Sequence, residues 1–156
     1  MVKLSGGLSI SEERRKMLLL TNKRIFIVED NQQNRIVFQM ALVRHGAQVD
    51  FERWGQGALG RLIESSQVDL IILDLMLADG ISGFDLFDEI RAVQKLAATP
   101  IVAVSAMDAS IAIPTTRSKG FTGFIAKPID NNLFPKQIAA VLNGEEVWHA
   151  GERTGF

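Results

Sequence analysis

The sequence predicts an α/β protein with a parallel sheet and helices on both faces, and three observations support this class. Short apolar runs alternate with segments whose apolar residues recur at helical spacing, and the alternation occurs five times. The strongest runs are almost continuously apolar, which is typical of strands buried on both faces. These runs stop abruptly at charged or hydroxyl residues, and open parallel sheets collect their functional groups at such strand ends.

The individual elements are predicted from these two kinds of pattern. The first strand, Arg24–Val28, is almost wholly apolar and ends at Glu29. A helix follows over residues 32–45, because its apolar residues share one face and Gly46 provides a stop signal. The same signals predict strands over Gln48–Glu52, 68–73, 100–104 and 121–126, and helices over 57–65, 84–96 and 131–142.

The chain has 156 residues, which favours one domain, and we expect it to occupy residues 23–143. Residues 1–22 precede the alternation as an N-terminal extension, in which Ser9 or Ser11 would cap a short helix. Residues 144–156 are expected to form a C-terminal tail, from which Trp148 docks on the domain or contacts a partner.

Composition excludes several function classes. The chain has no cysteine, which rules out disulfides, thiolate metal sites and thiol catalysis, and its two histidines, His45 and His149, are far apart in sequence. Lys and Arg total 17 and Asp and Glu total 18, so the net charge of −1 gives no basic surface for nucleic acid. The longest apolar run, residues 17–20, is too short to span a membrane. We therefore expect a cytoplasmic protein with neither a nucleic-acid nor a membrane partner.

Five polar groups follow or end the predicted strands and should meet at one edge of the sheet. They are Glu29, Asp30, Asp74, Ser105 and Lys127. Crowded carboxylates repel one another unless a cation lies among them, and Mg²⁺ is commonly bound by one or two carboxylates together with phosphate oxygens. A nearby lysine suits a phosphoryl oxygen. The set favours phosphoryl transfer to a carboxylate.

These residues carry a resemblance to the receiver domains of two-component response regulators, over about Lys23 to Leu142. Four motifs occur in the order that the family has, namely Ile27-Val28-Glu29-Asp30-Asn31, Ile71-Ile72-Leu73-Asp74-Leu75-Met76, Ser105-Ala106 and Lys127-Pro128. The resemblance implies a doubly wound, five-stranded parallel sheet of flavodoxin-like order 2-1-3-4-5.

The resemblance also implies a role for each matching residue. Asp74 would be the phosphoacceptor, and Asp30 and Asp74 would bind Mg²⁺ directly. Glu29 would act at the metal through water, and the backbone carbonyl of Met76 would be a further ligand. The phosphoryl oxygens would be contacted by Ser105 and Lys127, while Ser105 and Phe124 would form the conformational switch.

A stand-alone response regulator is the function that this resemblance implies. It would take a phosphoryl group from a histidine kinase or a histidine phosphotransfer protein and signal by protein–protein contact, with homodimerisation as a family habit. It would be a switch rather than an enzyme, with self-phosphorylation and autodephosphorylation as its only reactions.

The loop after Asp74, Pro114, Phe124 in place of a common tyrosine and Glu29 in place of a common aspartate depart from the family pattern, and Met76 carries a separate prediction. Ala78 replaces a common proline and Gly83 lies nine residues after Asp74, so we expect the loop 77–83 to be longer or differently turned. Pro114 falls inside the expected fourth helix, which should therefore be short and begin near Pro114, or be kinked, with residues 111–113 in an apolar loop. Met76 offers attacking water no hydrogen-bond partner, which predicts a long-lived phosphoryl group.

Two alternative functions remain open at this stage. The segment Gly55-Gln56-Gly57-Ala58-Leu59-Gly60 matches a dinucleotide-binding fingerprint, although the strand before it is polar and the carboxylates would then have no role. A phosphatase of the haloacid dehalogenase type also uses a strand-end aspartate with Mg²⁺ and a lysine. It would need a second acid two residues after Asp74, where this chain has Met76.

Overall fold

Apolar strands that end at polar residues form a single parallel sheet in the structure, a computed structural model that describes residues 18–53, 55–78 and 81–151. The strand order is β2-β1-β3-β4-β5-β6, and all neighbouring strands are parallel. The strands are β1 (Arg24–Val28), β2 (Gln48–Glu52), β3 (Leu70–Leu73), β4 (Ile101–Ser105), β5 (Gly123–Ala126) and β6 (Val147–His149).

In the described part of the chain, five α-helices connect the strands and cover both faces of the sheet. They are α1 (Gln32–Val43), α2 (Gly55–Glu64), α3 (Gly83–Arg91), α4 (Ala109–Lys119) and α5 (Leu133–Leu142), with a short 3₁₀ helix at Gln94–Leu96. Alternate residues of each strand face opposite sides, so Phe26 and Val28 pack with α2, α3 and α4 while Ile25 and Ile27 pack with α1 and α5. The central strands are buried on both faces, as their continuous apolar runs predict.

The predicted sheet order 2-1-3-4-5 is confirmed, and a sixth strand extends it beyond β5. Strand β6 lies in the segment expected to be a tail, where Trp148 packs against the domain. It has only three residues, all half-buried, and Glu145 and Glu146 precede it. So short a segment, with no apolar run, carries no strand signal of its own.

Of the two alternatives predicted for the fourth helix, a start near Pro114 is wrong, because α4 starts at Ala109 and contains Pro114; a kink at Pro114 stays a prediction. The carboxylate of Asp108 caps the helix, since its Oδ1 accepts from the Ser110 N–H at 2.9 Å and from the Ser110 hydroxyl at 2.7 Å. Ala112 and Thr116 are buried on the inner side of the helix. Capping and packing therefore outweigh the hydrogen bond lost at the proline, and residues 111–113 are helical rather than a loop.

The described part of the chain begins with turns that already belong to the core. Leu20 is fully buried, and its N–H donates to the His45 carbonyl at 2.8 Å. The helix expected around Ser9 and Ser11, and the middle of the loop 77–83, lie outside the described residues. Within the ranges that the structure covers, no helix is both long and apolar enough to cross a membrane.

Candidate functional site

The ends of β1, β3 and β5 meet at one edge of the sheet, where a lysine joins two carboxylates. Lys127 Nζ donates to Glu29 Oε2 at 2.7 Å and to Asp74 Oδ2 at 2.9 Å. Glu29 and Asp74 are only 1% and 4% exposed. Because Lys127 follows β5 while Glu29 and Asp74 follow β1 and β3, these two bonds tie three strand ends into one site.

The first turn of α1 fixes the orientation of Glu29. Glu29 Oε1 accepts from the Asn31 N–H and from Asn34 Nδ2, both at 3.2 Å. Asn31 also caps α1, because its side chain accepts from the Asn34 N–H at 2.9 Å. Arg35 Nη1 donates to the backbone carbonyls of Glu29 at 2.9 Å and Asp30 at 3.1 Å. The start of α1 therefore holds the acidic pair in place through the Glu29 carboxylate and through the backbone carbonyls of Glu29 and Asp30.

Asp74 is held from the opposite side by its own loop. Its Oδ1 accepts from the Met76 N–H at 3.0 Å, while its other oxygen faces Lys127. Helix α3 begins directly against the backbone of Asp74, and a Cβ at Gly83 would collide with the Asp74 carbonyl and Leu75. Glycine at position 83 thus allows α3 to pack closely behind the carboxylate.

The electrostatics of the site reflect two buried carboxylates that share one cation. Burial raises the pKa of Glu29, and the negative charge of Asp74 adds to the increase, whereas the hydrogen bond from Lys127 opposes it. Burial alone would lower the pKa of Lys127, but its bonds to Asp74 and Glu29 outweigh burial, so the pKa is raised. The lysine is accordingly held in its charged form between the two acids.

Three carboxylates at this edge have the chemistry of a divalent-cation site. Glu29, Asp30 and Asp74 each offer an oxygen, and these oxygens all lie within 4.8 Å of one another. Asp30 is partly exposed, which leaves the cluster open to solvent on one side. Hard cations such as Mg²⁺ prefer such oxygen ligands together with water, so the residues present fit a magnesium ion.

Ser105 lies at the same edge, on the strand between Asp74 and Lys127. It is fully buried, and its carbonyl accepts from the Lys127 N–H at 3.0 Å. Its hydroxyl oxygen accepts from the Met107 N–H at 3.3 Å. The predicted site residues thus share one edge, with the Ser105 hydroxyl directed to the following loop.

Two further sequence-predicted residues occupy contrasting positions. Phe124 is fully buried in the core beneath α3 and α4. Met76 follows Asp74 with its side chain 57% exposed at the mouth of the site. Asn34 and Arg35 were not among the predicted site residues, although their spacing after the acidic pair places both in the first turn of the following helix, which is a usable signal.

Two of the three glycines of the dinucleotide-type motif, Gly55 and Gly57, lie against other side chains of the domain. A Cβ at Gly55 would collide with the side chain of Ile81, and one at Gly57 would contact the carboxylate of Glu52 at 3.4 Å. The chain's own side chains, one of them acidic, therefore occupy the space that a pyrophosphate would need beside these glycines. These contacts give the dinucleotide alternative no support.

The stretch of sequence that carries the acids, the hydroxyl and the lysine matches a known family. The sequence model described as "Response regulator receiver domain" matches residues 25–139. This chain belongs to the receiver domain family of response regulators. The receiver range predicted from the sequence, 23–143, encloses the matched residues.

Curated relatives support the same assignment. The receiver is 34% identical over 118 residues to the response regulator ArlR of Staphylococcus haemolyticus, covering 76% of this chain and 52% of that protein. The ArlR protein of Staphylococcus aureus strain Mu50 is likewise 34% identical, over 119 residues. The chain thus spans about half the length of the curated relatives it matches.

Solved structures share the receiver fold. Chemotaxis protein CheY4 of Vibrio cholerae superposes with a TM-score of 0.70 at 22% identity, covering 76% of this chain and 98% of that one. A CheY-like receiver domain protein of Methanospirillum hungatei superposes with a TM-score of 0.69 at 20% identity, covering 78% of this chain and 94% of that one. At such identities the likeness concerns the fold.

Proposed function

We propose that this receiver accepts a phosphoryl group on Asp74 and acts as a switch, with no substrate turnover of its own beyond gaining and losing that group. The observation that carries the proposal is the pair of bonds from Lys127 to Asp74 and Glu29, at 2.9 and 2.7 Å. A lysine so placed reaches the acceptor carboxylate and can also reach an oxygen of a group attached to it.

The proposed reaction transfers a phosphoryl group from nitrogen to oxygen. A carboxylate oxygen of Asp74 attacks the phosphorus of a phosphohistidine on a histidine kinase or phosphotransfer protein. The new O–P bond forms as the N–P bond breaks, and the histidine nitrogen keeps the electron pair of that bond and takes a proton from solvent. Lys127 stabilises the charge on the transferred oxygens, since it is cationic and already within 2.9 Å of Asp74.

Mg²⁺ would be held by Asp30 and Asp74, with Glu29 acting through water and the Met76 carbonyl as a further ligand. Support comes from the carboxylate oxygens of Glu29, Asp30 and Asp74, which lie within 4.8 Å of one another. When bound, the ion would neutralise charge on the acids and on the phosphoryl oxygens. Asn34 and Arg35 keep Glu29 and Asp30 in place for it.

Ser105 and Phe124 would convert the added charge into a change of shape. A phosphoryl oxygen accepts a hydrogen bond from the Ser105 hydroxyl, which draws the serine away from Met107, its present partner at 3.3 Å. Phe124 lies next to the strand that carries Ser105, since it is paired with Ala103. A local change in charge would thus bias the β4–β5 region toward a second arrangement, which a downstream protein would recognise.

A direct test measures the mass of the intact protein after incubation with Mg²⁺ and acetyl phosphate. The parent should gain the mass of one phosphoryl group, and Asp74→Asn should gain none, because an amide is not a nucleophile for phosphorus. Asp50→Asn is the matched control, as Asp50 is an exposed strand aspartate away from the site. The proposal fails if Asp74→Asn is modified to the same extent as the parent.

The wider setting is part of the same proposal. We propose that the receiver operates in the cytoplasm and signals by contact with a protein partner, as a stand-alone regulator. The length of the protein in cells of its source, read on an immunoblot, tests the stand-alone organisation, and cell fractionation tests the compartment.

A further inference from the structure

Strand β6 covers the edge of the sheet that β5 would otherwise expose. Trp148 is paired with Phe124 and His149 with Ile125, in parallel register. On one side of the sheet the guanidinium of Arg117 in α4 lies 4.6 Å from the centre of the Trp148 ring. On the other side Val147 packs into the core that α5 helps to form. The C-terminal strand is therefore seated between α4 and α5.

The surface beneath β6 is shaped to receive it. A Cβ at Gly123 would lie 2.5 Å from the backbone oxygen of Val147, so only glycine lets β6 approach this closely. A Cβ at Gly151, just after β6, would lie 3.3 Å from the Cβ of Ala126. The close approach at Gly123 shows that the β5 edge is complementary in shape to β6.

The attachment of β6 to the β5 edge is nevertheless weak. Strand β6 has only three residues, far fewer than a typical strand. Trp148 Nε1 and His149 Nδ1 are both buried, and neither has a hydrogen-bond partner among the residues that the structure describes. A buried polar atom that lacks a partner favours the state in which water reaches it. Leaving the edge would therefore let two ring nitrogens regain hydrogen bonds.

The end of β6 lies beside both segments that follow the proposed phosphoryl-binding residues. Ala150 lines a cavity of about 490 Å³ together with Asp108 and Ser110, in the segment after Ser105. It also lines a second cavity, of about 410 Å³, together with Lys127 itself. A shift of either segment therefore reshapes a cavity that Ala150 lines, and the open space on both sides gives residues 147–151 room to move.

We propose that residues 147–151 form a detachable cover on the β5 edge and that a phosphoryl group on Asp74 releases it. This inference rests on the proposed function. The phosphoryl oxygens take hydrogen bonds from Ser105 and Lys127, so the two segments that line cavities with Ala150 move and β6 loses its fit against them. Once the cover has left, the backbone groups of the β5 edge and the Arg117 side chain are exposed.

The test measures hydrogen exchange in a peptide covering residues 144–151, with and without Mg²⁺ and beryllofluoride, a phosphoryl mimic. Release predicts that exchange of the β6 amides accelerates at least about fivefold, the lower end of ordinary coupling between sites. Asp74→Asn, treated in the same way, should show no acceleration. Binding of beryllofluoride is measured separately, by titration on the same samples.

Linkage provides a second measurement, because a cover released by the ligand must in turn weaken ligand binding. Gly123→Ala should push β6 away and tighten beryllofluoride binding at least about fivefold. Gly60→Ala is the matched control, since a Cβ at Gly60 meets nothing within 4 Å. Arg117→Gln, on the exposed side of α4, removes the ring contact without crowding β5 and should act in the same direction.

The outcomes separate the two proposals. Faster exchange in the parent together with tighter binding in Arg117→Gln supports the cover. Binding of beryllofluoride with unchanged exchange overturns the cover and leaves the proposed function standing. Absence of binding in the parent overturns both. Faster exchange with unchanged affinity in folded Gly123→Ala and Arg117→Gln overturns the coupling, because linkage requires both effects.

Discussion

At the scale of single residues, Lys127 is the cation on which the resting site depends. It balances Glu29 and Asp74, both almost fully buried, through bonds of 2.7 and 2.9 Å. Removing one partner of a buried ion pair leaves the other uncompensated, which costs far more than losing a surface pair. The stability of the metal-free protein should therefore respond strongly to this one side chain.

Replacing Lys127 by methionine tests that dependence. Lys127→Met should lower the free energy of unfolding by about 2–3 kcal/mol without Mg²⁺, because two carboxylates lose their counterion. Mg²⁺ stabilises the folded state that binds it. It should stabilise the variant more than the parent, because in the variant the ion replaces the counterion that the two carboxylates have lost. Urea unfolding with and without Mg²⁺ measures both effects.

Lys119→Met serves as the control for this experiment. Lys119 pairs with Asp88 at 3.0 Å on the surface, where Asp88 is 63% exposed. Its loss should change the free energy of unfolding by less than about 1 kcal/mol. Equal effects of the two substitutions would contradict the role given to Lys127.

We expect Met76 to control how water reaches the proposed phosphoryl group. Its side chain is exposed beside Asp74 and offers no hydrogen bond to an attacking water molecule. We expect a phosphoryl group that lasts well beyond seconds, and Met76→Asn should shorten its lifetime about tenfold, the rate equivalent of one hydrogen bond gained in the transition state. The decay of the phosphorylated mass, without any phosphatase, measures this lifetime.

Met40→Asn makes the same chemical change on the exposed face of α1 and should leave the lifetime unaltered. Loss of the phosphoryl group from the parent within seconds would refute the prediction.

The sequence located the acids and the lysine because parallel strands end at one edge, so residues that follow Val28, Leu73 and Ala126 must be neighbours. It could not indicate the bond from Ser105 to Met107, or that from Asn34 to Glu29. Those contacts depend on side-chain rotamers, which are set by packing in three dimensions.

At the scale of elements, α4 shows how packing can override a local signal. Pro114 lies at the sixth position of an 11-residue helix, where it removes the hydrogen bond to the Ser110 carbonyl. The Asp108 cap and the burial of Ala112 and Thr116 still hold the helix together. The propensity of proline alone therefore placed the helix start five residues too late.

Pro114→Ala should stabilise the protein by about 1–3 kcal/mol, because the substitution restores a backbone donor and removes a clash in an exposed helical position. Urea unfolding at neutral pH measures the gain. A loss of stability would indicate that α4 is built around its proline, against the account given for this helix.

Asp108 adds a pH dependence to α4. Its hydrogen bonds from the Ser110 hydroxyl and N–H hold the pKa of Asp108 below its usual range. The stability that it contributes is therefore present at neutral pH and is lost as the pH falls through the folded-state pKa. Asp108→Asn keeps an acceptor but cannot titrate, so the urea midpoint of the parent should fall more steeply in acid than that of the variant.

At the scale of the whole molecule, the parallel sheet follows from the alternation of strand and helix. Its order 2-1-3-4-5 was implied by the resemblance to receiver domains, whereas nothing in the sequence predicted β6. Strand β6 has three residues, and its position depends on Gly123 and Arg117, which are distant in sequence. Such a strand exists through tertiary contacts that periodicity cannot reveal.

The position of β6 on the β5 edge also affects how the predicted homodimer could form. In this structure the β5 edge is paired with the chain's own C-terminal strand. A second copy that used the surface around α4, β5 and α5 would meet β6 first. Dimerisation through that surface stays a prediction. It would depend on phosphorylation, because β6 would have to leave the β5 edge before a second copy could use it.

The proposed switch requires that Asp74, and no other residue, carries the phosphoryl group. Reducing the acetyl-phosphate-treated protein with borohydride converts an aspartyl phosphate to homoserine, and peptide mass spectrometry then identifies the position. We expect homoserine at residue 74 in a Mg²⁺-dependent yield. Homoserine at another aspartate, or none in a protein whose intact mass shows a stable phosphoryl group, would contradict it.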